Sequence, residues 1–178
     1  MSVPKSITRT VRLDVDLDAA IQRKSAEEKV TVNFFINRTV RKLVEWDMPA
    51  RKFGLVMTPE ALLIKLLERY DDESCLELGR ASAREYIKPL AEYLYGEFSL
   101  ETSILLFRRS SQYGGRWEFD EVVDLADSNK HILILRHNQG HKWARYYHGL
   151  IVETFRDLLG KNAKVESTDN LCIAQFDV

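Results

Sequence analysis

The sequence predicts an α+β protein in two parts: an N-terminal strand-helix-helix unit that pairs with a second copy, then a helix-rich α+β C-terminal domain. Three observations predict this. The run "ITRTVRLDVDLDAAI", residues 7–21, alternates and then becomes helical; a second helical pattern follows; and a connector with Pro49 and Gly54 separates this part from the rest. With 178 residues, 45% of them hydrophobic, the chain can bury a real core.

The first predicted element is a strand that stands alone in the sequence. Val11 and Leu13 fall on one face, and Thr8, Thr10 and Arg12 fall on the other. An isolated strand cannot satisfy its own backbone hydrogen bonds, so the nearest partner is the same strand of a second chain. The alternative is an ordinary edge strand whose polar face meets water.

Two helices follow this strand. Asp14 or Asp16 is placed to cap the first, which ends near Glu28. Thr31 is a good N-cap for the second, and Pro49 is expected to stop it.

Charge is distributed unevenly along the chain, although its net value is only −1. Residues 1–53 hold 11 Lys and Arg against 7 Asp and Glu, which leaves 15 against 20 for the remainder. The first 13 residues contain Lys5, Arg9 and Arg12 and no acid. Such a basic segment is typical of an arm that approaches phosphate.

The run "TRTVRLDVDLDAAIQRKSAEEKVTVNFFINRTVRKLVEW", residues 8–46, resembles a ribbon-helix-helix DNA-binding domain of the Arc, MetJ and CopG repressors, over about a quarter of the chain. The resemblance implies an intertwined homodimer whose two strands form a ribbon in the major groove. It also implies that Thr8, Thr10 and Arg12 read base edges. Their types suit that role, because Arg is the commonest bidentate partner of guanine and Thr offers a hydroxyl or a methyl group.

The same resemblance implies a set of phosphate contacts at the arm and at the start of the second helix. The residues concerned are Lys5, Arg9, Thr31, Val32 and Asn33. Free amide groups and the positive end of the helix dipole favour an anion at a helix N-terminus. Lys29 stands in the turn where the family often has glycine, so it is expected to adopt the left-handed conformation at some cost.

The domain organisation follows from these boundaries. Residues 1–50 are expected to form the DNA-binding and dimerisation domain, and residues 51–57 a connector. Residues 58–178 are expected to form an α+β domain for sensing or oligomerisation, with helices first and a strand-helix-strand-strand unit last.

Three histidines cluster in "RHNQGHKWARYYH", namely His137, His141 and His148. A metal or small-molecule site is one interpretation. The other is a histidine in a loop, one in a first helical turn and one satisfied and half-buried. Cys75 and Cys172 have no metal or redox spacing and are expected to be reduced and packed as apolar groups.

No phosphate-binding glycine loop, nucleophile elbow or paired metal-ligand signature is present, so neither an enzyme nor a cofactor is indicated. No membrane-spanning or signal segment is seen, which predicts a cytoplasmic protein. The expected function is a sequence-specific transcriptional regulator, most simply a repressor. Its homodimer would bind a palindromic operator in double-stranded DNA, could assemble into a tetramer, and could respond to an unknown small-molecule or metal effector. The alternative is an antitoxin or other interaction protein whose C-terminal domain binds a protein partner.

Overall fold

The computed structural model of the chain describes residues 7–123 and 130–177. The chain divides into two compact units, Met1–Asp47 and Met48–Val178.

The N-terminal unit is a pair of helices. Helix α1 spans Val15–Glu27, α2 spans Val32–Lys42, and a π-helical turn, Leu43–Asp47, follows α2. Lys29 lies between the helices with φ of 55°, the left-handed conformation expected from the sequence. The amide of Val30 donates to the carbonyl of Ser25 at 2.9 Å, which closes the turn.

The prediction of an N-terminal ribbon is wrong. Residues 7–14 form neither strand nor helix, and all of them are exposed. The described strands all come after these helices, beginning at Glu118. The physical reason is that alternation defines only which way side chains would point, whereas a strand exists through hydrogen bonds to a neighbour. No backbone hydrogen bond joins residues 7–13 to another described part of the chain.

The C-terminal unit begins with helices. They are α3 (Met48–Lys52), α4 (Glu60–Leu67), α5 (Asp72–Ser82), α6 (Lys88–Tyr95), α7 (Leu100–Gly114) and, between strands, α8 (His141–Ile151). Side-chain caps fix the N-termini of two of these helices, α5 and α7. The Asp71 carboxylate accepts from the Ser74 amide at 2.7 Å, and Ser99 and Thr102 form a reciprocal capping box at α7.

Both helical prolines follow a widened turn. The sequence predicts that Pro49 ends the second helix, whereas Pro49 lies inside α3, directly after the π-helical turn Leu43–Asp47. Pro89 lies in α6, directly after a second π-helical turn, Ala83–Ile87. A proline has no amide hydrogen and its ring clashes with the carbonyl four residues back, and a wider turn moves that carbonyl aside.

A four-stranded antiparallel sheet completes this unit. Its strands are β1 (Glu118–Val123), β2 (Lys130–Arg136), β3 (Lys164–Thr168) and β4 (Leu171–Asp177), in the order β1-β2-β4-β3. One row across the sheet pairs Glu121 with Leu133, Leu133 with Ala174, and Ala174 with Val165. A π-helical turn, Val152–Leu158, extends α8 before β3.

The core lies between one face of the sheet and the helices. Phe107 of α7 contacts Phe119 of β1 and Phe155 after α8, with both pairs of ring centroids 5.7 Å apart. Phe155 stacks in turn on Phe176 of β4. Cys172 is fully buried beneath this layer, and burial raises the pKa of its thiol to about 12, so it packs as an apolar group.

Helices α5 and α8 cross at two glycines. A Cβ built on Gly79 would lie 2.0 Å from the carbonyl oxygen of Tyr146, and one on Gly149 would lie 2.0 Å from that of Leu76. Real Cβ atoms do not approach oxygen so closely, so only glycine permits this crossing at both positions.

Candidate nucleic-acid interface

The residues expected to contact DNA lie in an exposed arm, which we define as residues 7–14. Thr8, Arg9, Thr10 and Arg12 are all exposed. Within residues 7–123 and 130–177, neither Arg9 nor Arg12 forms an ion pair, so both guanidinium groups are available to an anion. Lys5 lies outside the described residues.

The N-terminus of α2 has the features of an anion site. The Thr31 hydroxyl oxygen accepts from the Phe34 amide at 3.1 Å and caps the helix. Val32 and Asn33 form the first turn, which contains no acidic residue. Helix geometry leaves the first amides without intrahelical acceptors, and the helix dipole adds positive potential there.

A short set of contacts fixes α2 against the turn before it. The Arg38 guanidinium pairs with the Glu28 carboxylate at 2.5 Å. The same guanidinium lies 5.8 Å from the ring centroid of Phe34 and 5.4 Å from that of Phe35. These contacts hold the first turn of α2 close to the α1–α2 turn, although sequence reasoning did not single out Arg38.

The N-terminal unit exposes many apolar side chains. Exposed on α2 and the turn after it are Phe34 (53%), Val40 (52%), Leu43 (42%) and Val44 (58%). Among the described residues of this unit, Ser25 alone is buried. So small a buried core is marginal for the stability of a unit of this size.

The three clustered histidines have separate partners. His137 is buried in the loop after β2, where its Nδ1 accepts from the Gln139 amide at 3.3 Å. His148 is half-buried, with Nδ1 3.1 Å from the Ser167 hydroxyl oxygen. Burial lowers the pKa of both rings, which favours their neutral forms. No group of three metal-binding side chains is found in the described parts of the chain.

His141, in the first turn of α8, joins three elements. Its Nε2 lies 2.8 Å from the Asp72 carboxylate of α5, and its Nδ1 lies 3.1 Å from the Asp169 carboxylate in the β3–β4 turn. Lys142 also donates to Asp72, at 2.6 Å. The hydrogen bond from His141, and then the one from Lys142, lower the pKa of Asp72 to about 2, and the bond to Asp72 raises the pKa of His141.

A partly buried hydrogen-bonded chain lies beside His137. The Tyr147 hydroxyl donates to the side-chain oxygen of Gln139 at 2.7 Å, and the Gln139 amide group donates to Glu60 at 2.8 Å. This chain links α4, the loop after β2 and α8.

Glu121 and His131 form a pair that the sequence reasoning missed. Each lies on a strand, and the Glu121 carboxylate is 2.8 Å from His131 Nδ1. The run "HILIL" identifies β2, but Glu121 becomes visible as its neighbour only once β1 and its register are known.

Comparison with known proteins gives no relative. No protein family, no curated protein and no solved structure matches the chain. None of the helices in residues 7–123 and 130–177 is long and apolar enough to cross a membrane.

Proposed function

We propose that the protein is a sequence-specific DNA-binding regulator that acts as a homodimer through its N-terminal unit, in the cytoplasm. The observation that carries this proposal is the exposed arm, whose two arginines form no ion pair within residues 7–123 and 130–177, together with the capped and acid-free N-terminus of α2. Arginines in the arm supply contacts to phosphate and guanine, and the α2 terminus supplies a second phosphate contact. In this proposal Thr8, Thr10 and Arg12 contact bases.

The exposed apolar side chains of the N-terminal unit support the proposal that it pairs with a second copy of the chain. Phe34, Val40 and Val44 are each more than half exposed. Pairing two copies through these residues would bury apolar surface at about 25 cal/mol per Å². A two-fold dimer presents two identical arms, and the DNA that matches it is an inverted repeat. A repressor is the simplest regulator of this kind, because occupying an operator needs no further contact.

A protein-binding function is the second candidate, and one observation favours it. Helix α4 exposes Leu62 (49%) and Leu66 (46%) one turn apart, and Tyr70 (53%) follows them. An antitoxin or other interaction protein would use such a surface for a partner. Purification of the full-length protein from its native host would then yield a second polypeptide in fixed stoichiometry.

The proposed function is tested by DNA binding across a salt series. Fluorescence anisotropy of the full-length protein is measured on the duplex upstream of its own coding sequence and on a scrambled duplex of equal length. We expect tighter binding to the first duplex, and a fall in affinity with salt on both, because each phosphate contact releases counterions. No binding to either duplex at low salt would contradict DNA binding.

A further inference from the structure

A cavity of about 260 Å³, open to solvent on one side, lies between α7 and the sheet in the C-terminal unit. One wall is apolar, formed by Leu100, Ile104 and Leu105 of α7. The remaining wall is polar, and its residues are Glu101, Arg108, Glu121 and His131. All these residues belong to the described part of the chain. Sites for drug-sized ligands occupy about 300–1,000 Å³, so this cavity suits a smaller molecule.

Two residues of the polar wall, Glu121 and His131, stand where the core pattern calls for apolar residues. Phe119 and Glu121 occupy alternate positions of β1, and His131 and Leu133 do the same on β2, so all four point to the helix-covered face. Phe119 and Leu133 are buried in the core, whereas the Glu121 and His131 side chains are 14% and 17% exposed. Two ionisable groups on the inner face of a sheet carry a desolvation cost that a purely structural role does not require.

Hydrogen bonds fix the positions of these two groups, both of which line the cavity. The Glu121 carboxylate accepts from Arg108 Nη2 at 2.8 Å through one oxygen. Its other oxygen is 2.8 Å from His131 Nδ1, and since a carboxylate only accepts, His131 donates there. A neutral imidazole that donates from Nδ1 carries a lone pair on Nε2, where it accepts a hydrogen bond. The ring itself is held by stacking on Phe176, with planes 10° apart.

The charge of the wall selects the sign of the ligand. The cavity is lined by two carboxylates, those of Glu101 and Glu121, and by one guanidinium, that of Arg108, so carboxylates outnumber guanidinium groups there. Within the described residues Glu101 forms no ion pair. A cation in the cavity meets an unpaired carboxylate and a histidine acceptor, whereas an anion meets an excess of like charge.

We infer that this cavity is a binding site for a small organic ammonium ion with an apolar body. The ammonium group donates to Glu101, Glu121 and His131 Nε2, and the apolar body lies against Leu100, Ile104 and Leu105. The inference does not depend on DNA binding, because every contact is within the C-terminal unit. If both proposals hold, the ammonium compound is the effector of the regulator.

The test compares three probes with one six-carbon tail and different heads: hexylammonium, hexanoate and 1-hexanol. Each is titrated into ¹⁵N-labelled full-length protein at neutral pH, and amide shifts of α7, β1 and β2 are followed by NMR. We expect hexylammonium to bind with a Kd of roughly millimolar order, as suits so few non-hydrogen atoms. We expect hexanoate and 1-hexanol to bind at least about tenfold more weakly, because neither can donate an ammonium hydrogen to a carboxylate.

Three charge-matched variants locate the binding. E101Q and E121Q should each weaken hexylammonium about tenfold, as the loss of one charge-assisted hydrogen bond predicts. E118Q is the matched control, because Glu118 lies on the same strand but faces outward and is exposed. E118Q should bind hexylammonium as the wild-type chain does.

The outcomes separate cleanly. Hexanoate or 1-hexanol binding as tightly as hexylammonium, an equal effect of E118Q and E101Q, or no shift with any probe would overturn the inference. Should E121Q fail to fold, E101Q still tests the inference, because Glu101 is exposed and its substitution leaves the core unchanged. DNA binding measured on the same samples shows independently whether the regulator proposal stands.

Discussion

The arm is where single residues carry the proposed function. Arginine forms two parallel hydrogen bonds to guanine, whereas a lysine acts as a point charge on phosphate. Arg12 follows Thr10 in the exposed arm, and it has no ion-pair partner among the described residues. A guanidinium with no ion-pair partner can contact DNA without first breaking an ion pair within the protein.

We predict that Arg12→Ala costs roughly 1–3 kcal/mol of binding free energy on the preferred duplex and much less on a scrambled one. Lys5→Ala should instead weaken both duplexes alike and reduce the salt dependence, because a phosphate contact carries no sequence information. Anisotropy titrations of both variants measure this. Arg69→Ala is the matched control, since Arg69 is exposed, carries the same charge and lies in the other unit. Identical losses for Arg12→Ala and Arg69→Ala would remove Arg12 from the proposed base contacts.

At the scale of helices and strands, α5 and α8 cross with their backbones in contact. Glycines at Gly79 and Gly149 let the two backbones touch, because any Cβ at either position would overlap a carbonyl oxygen of the other helix. The stability of the C-terminal unit therefore depends on residues that have no side chain.

We predict that Gly79→Ala and Gly149→Ala each destabilise the protein by about 3 kcal/mol or more, since the clash is with backbone that cannot rotate away. In a helix without this clash, alanine is more favourable than glycine by about 1 kcal/mol. The sign of the change in unfolding free energy therefore shows whether the clash exists. Chemical denaturation measures the free energy of unfolding. Leu78→Ala, next to Gly79 and 43% exposed, is the control and should cost far less. A stabilised Gly79→Ala would show that the helices do not cross as described.

The ion pairs of His141 with Asp72 and Asp169 predict that the stability of the fold depends on pH. The raised pKa of His141 contributes stability that is fully present below its unfolded pKa, about 6.5, and is lost as the pH rises through the folded pKa. The lowered pKa of Asp72 contributes stability above its unfolded pKa of 3.8 that is lost as the pH falls toward about 2. The stabilisation by the His141–Asp72 pair is therefore greatest between these two pH limits, in mildly acidic solution.

His141→Gln should lower the Tm more in mildly acid than in mildly alkaline solution, because glutamine cannot carry the charge that Asp72 and Asp169 stabilise. Comparison with the wild-type chain at each pH is essential, since the lowered pKa values of His137 and His148 act in the opposite direction. Thermal unfolding at several pH values measures the difference. A loss of Tm that grows as the pH rises would contradict stabilisation by the ion pairs of protonated His141.

Local patterns predicted the elements that are set by local chemistry. Thr31 caps α2 and Lys29 adopts the left-handed conformation, and each depends on a few neighbouring residues. The N-terminal strand was predicted wrongly because a strand needs a neighbour that the sequence pattern cannot supply. The Glu121–His131 pair was missed for a related reason, since it is created by the register of β1 on β2.

At the scale of the whole molecule, the central proposal requires two chains. We predict that the full-length protein sediments as a dimer, and that Val44→Asp, a charge placed on a residue 58% exposed after α2, shifts it toward monomer. Met57→Asp is the control, because Met57 is fully exposed in the connector. Analytical ultracentrifugation over a range of concentrations measures both. A wild-type chain that stays monomeric at every concentration would contradict the dimer.

The most direct measurement is selection of bound duplexes from a random-sequence pool by the full-length protein, followed by sequencing, since it requires no knowledge of the operator. A dimer with two identical arms predicts that the recovered duplexes share an inverted repeat, and that the Thr10→Ala/Arg12→Ala variant loses this enrichment. A recovered pool that cannot be distinguished from the starting pool would contradict sequence-specific DNA binding.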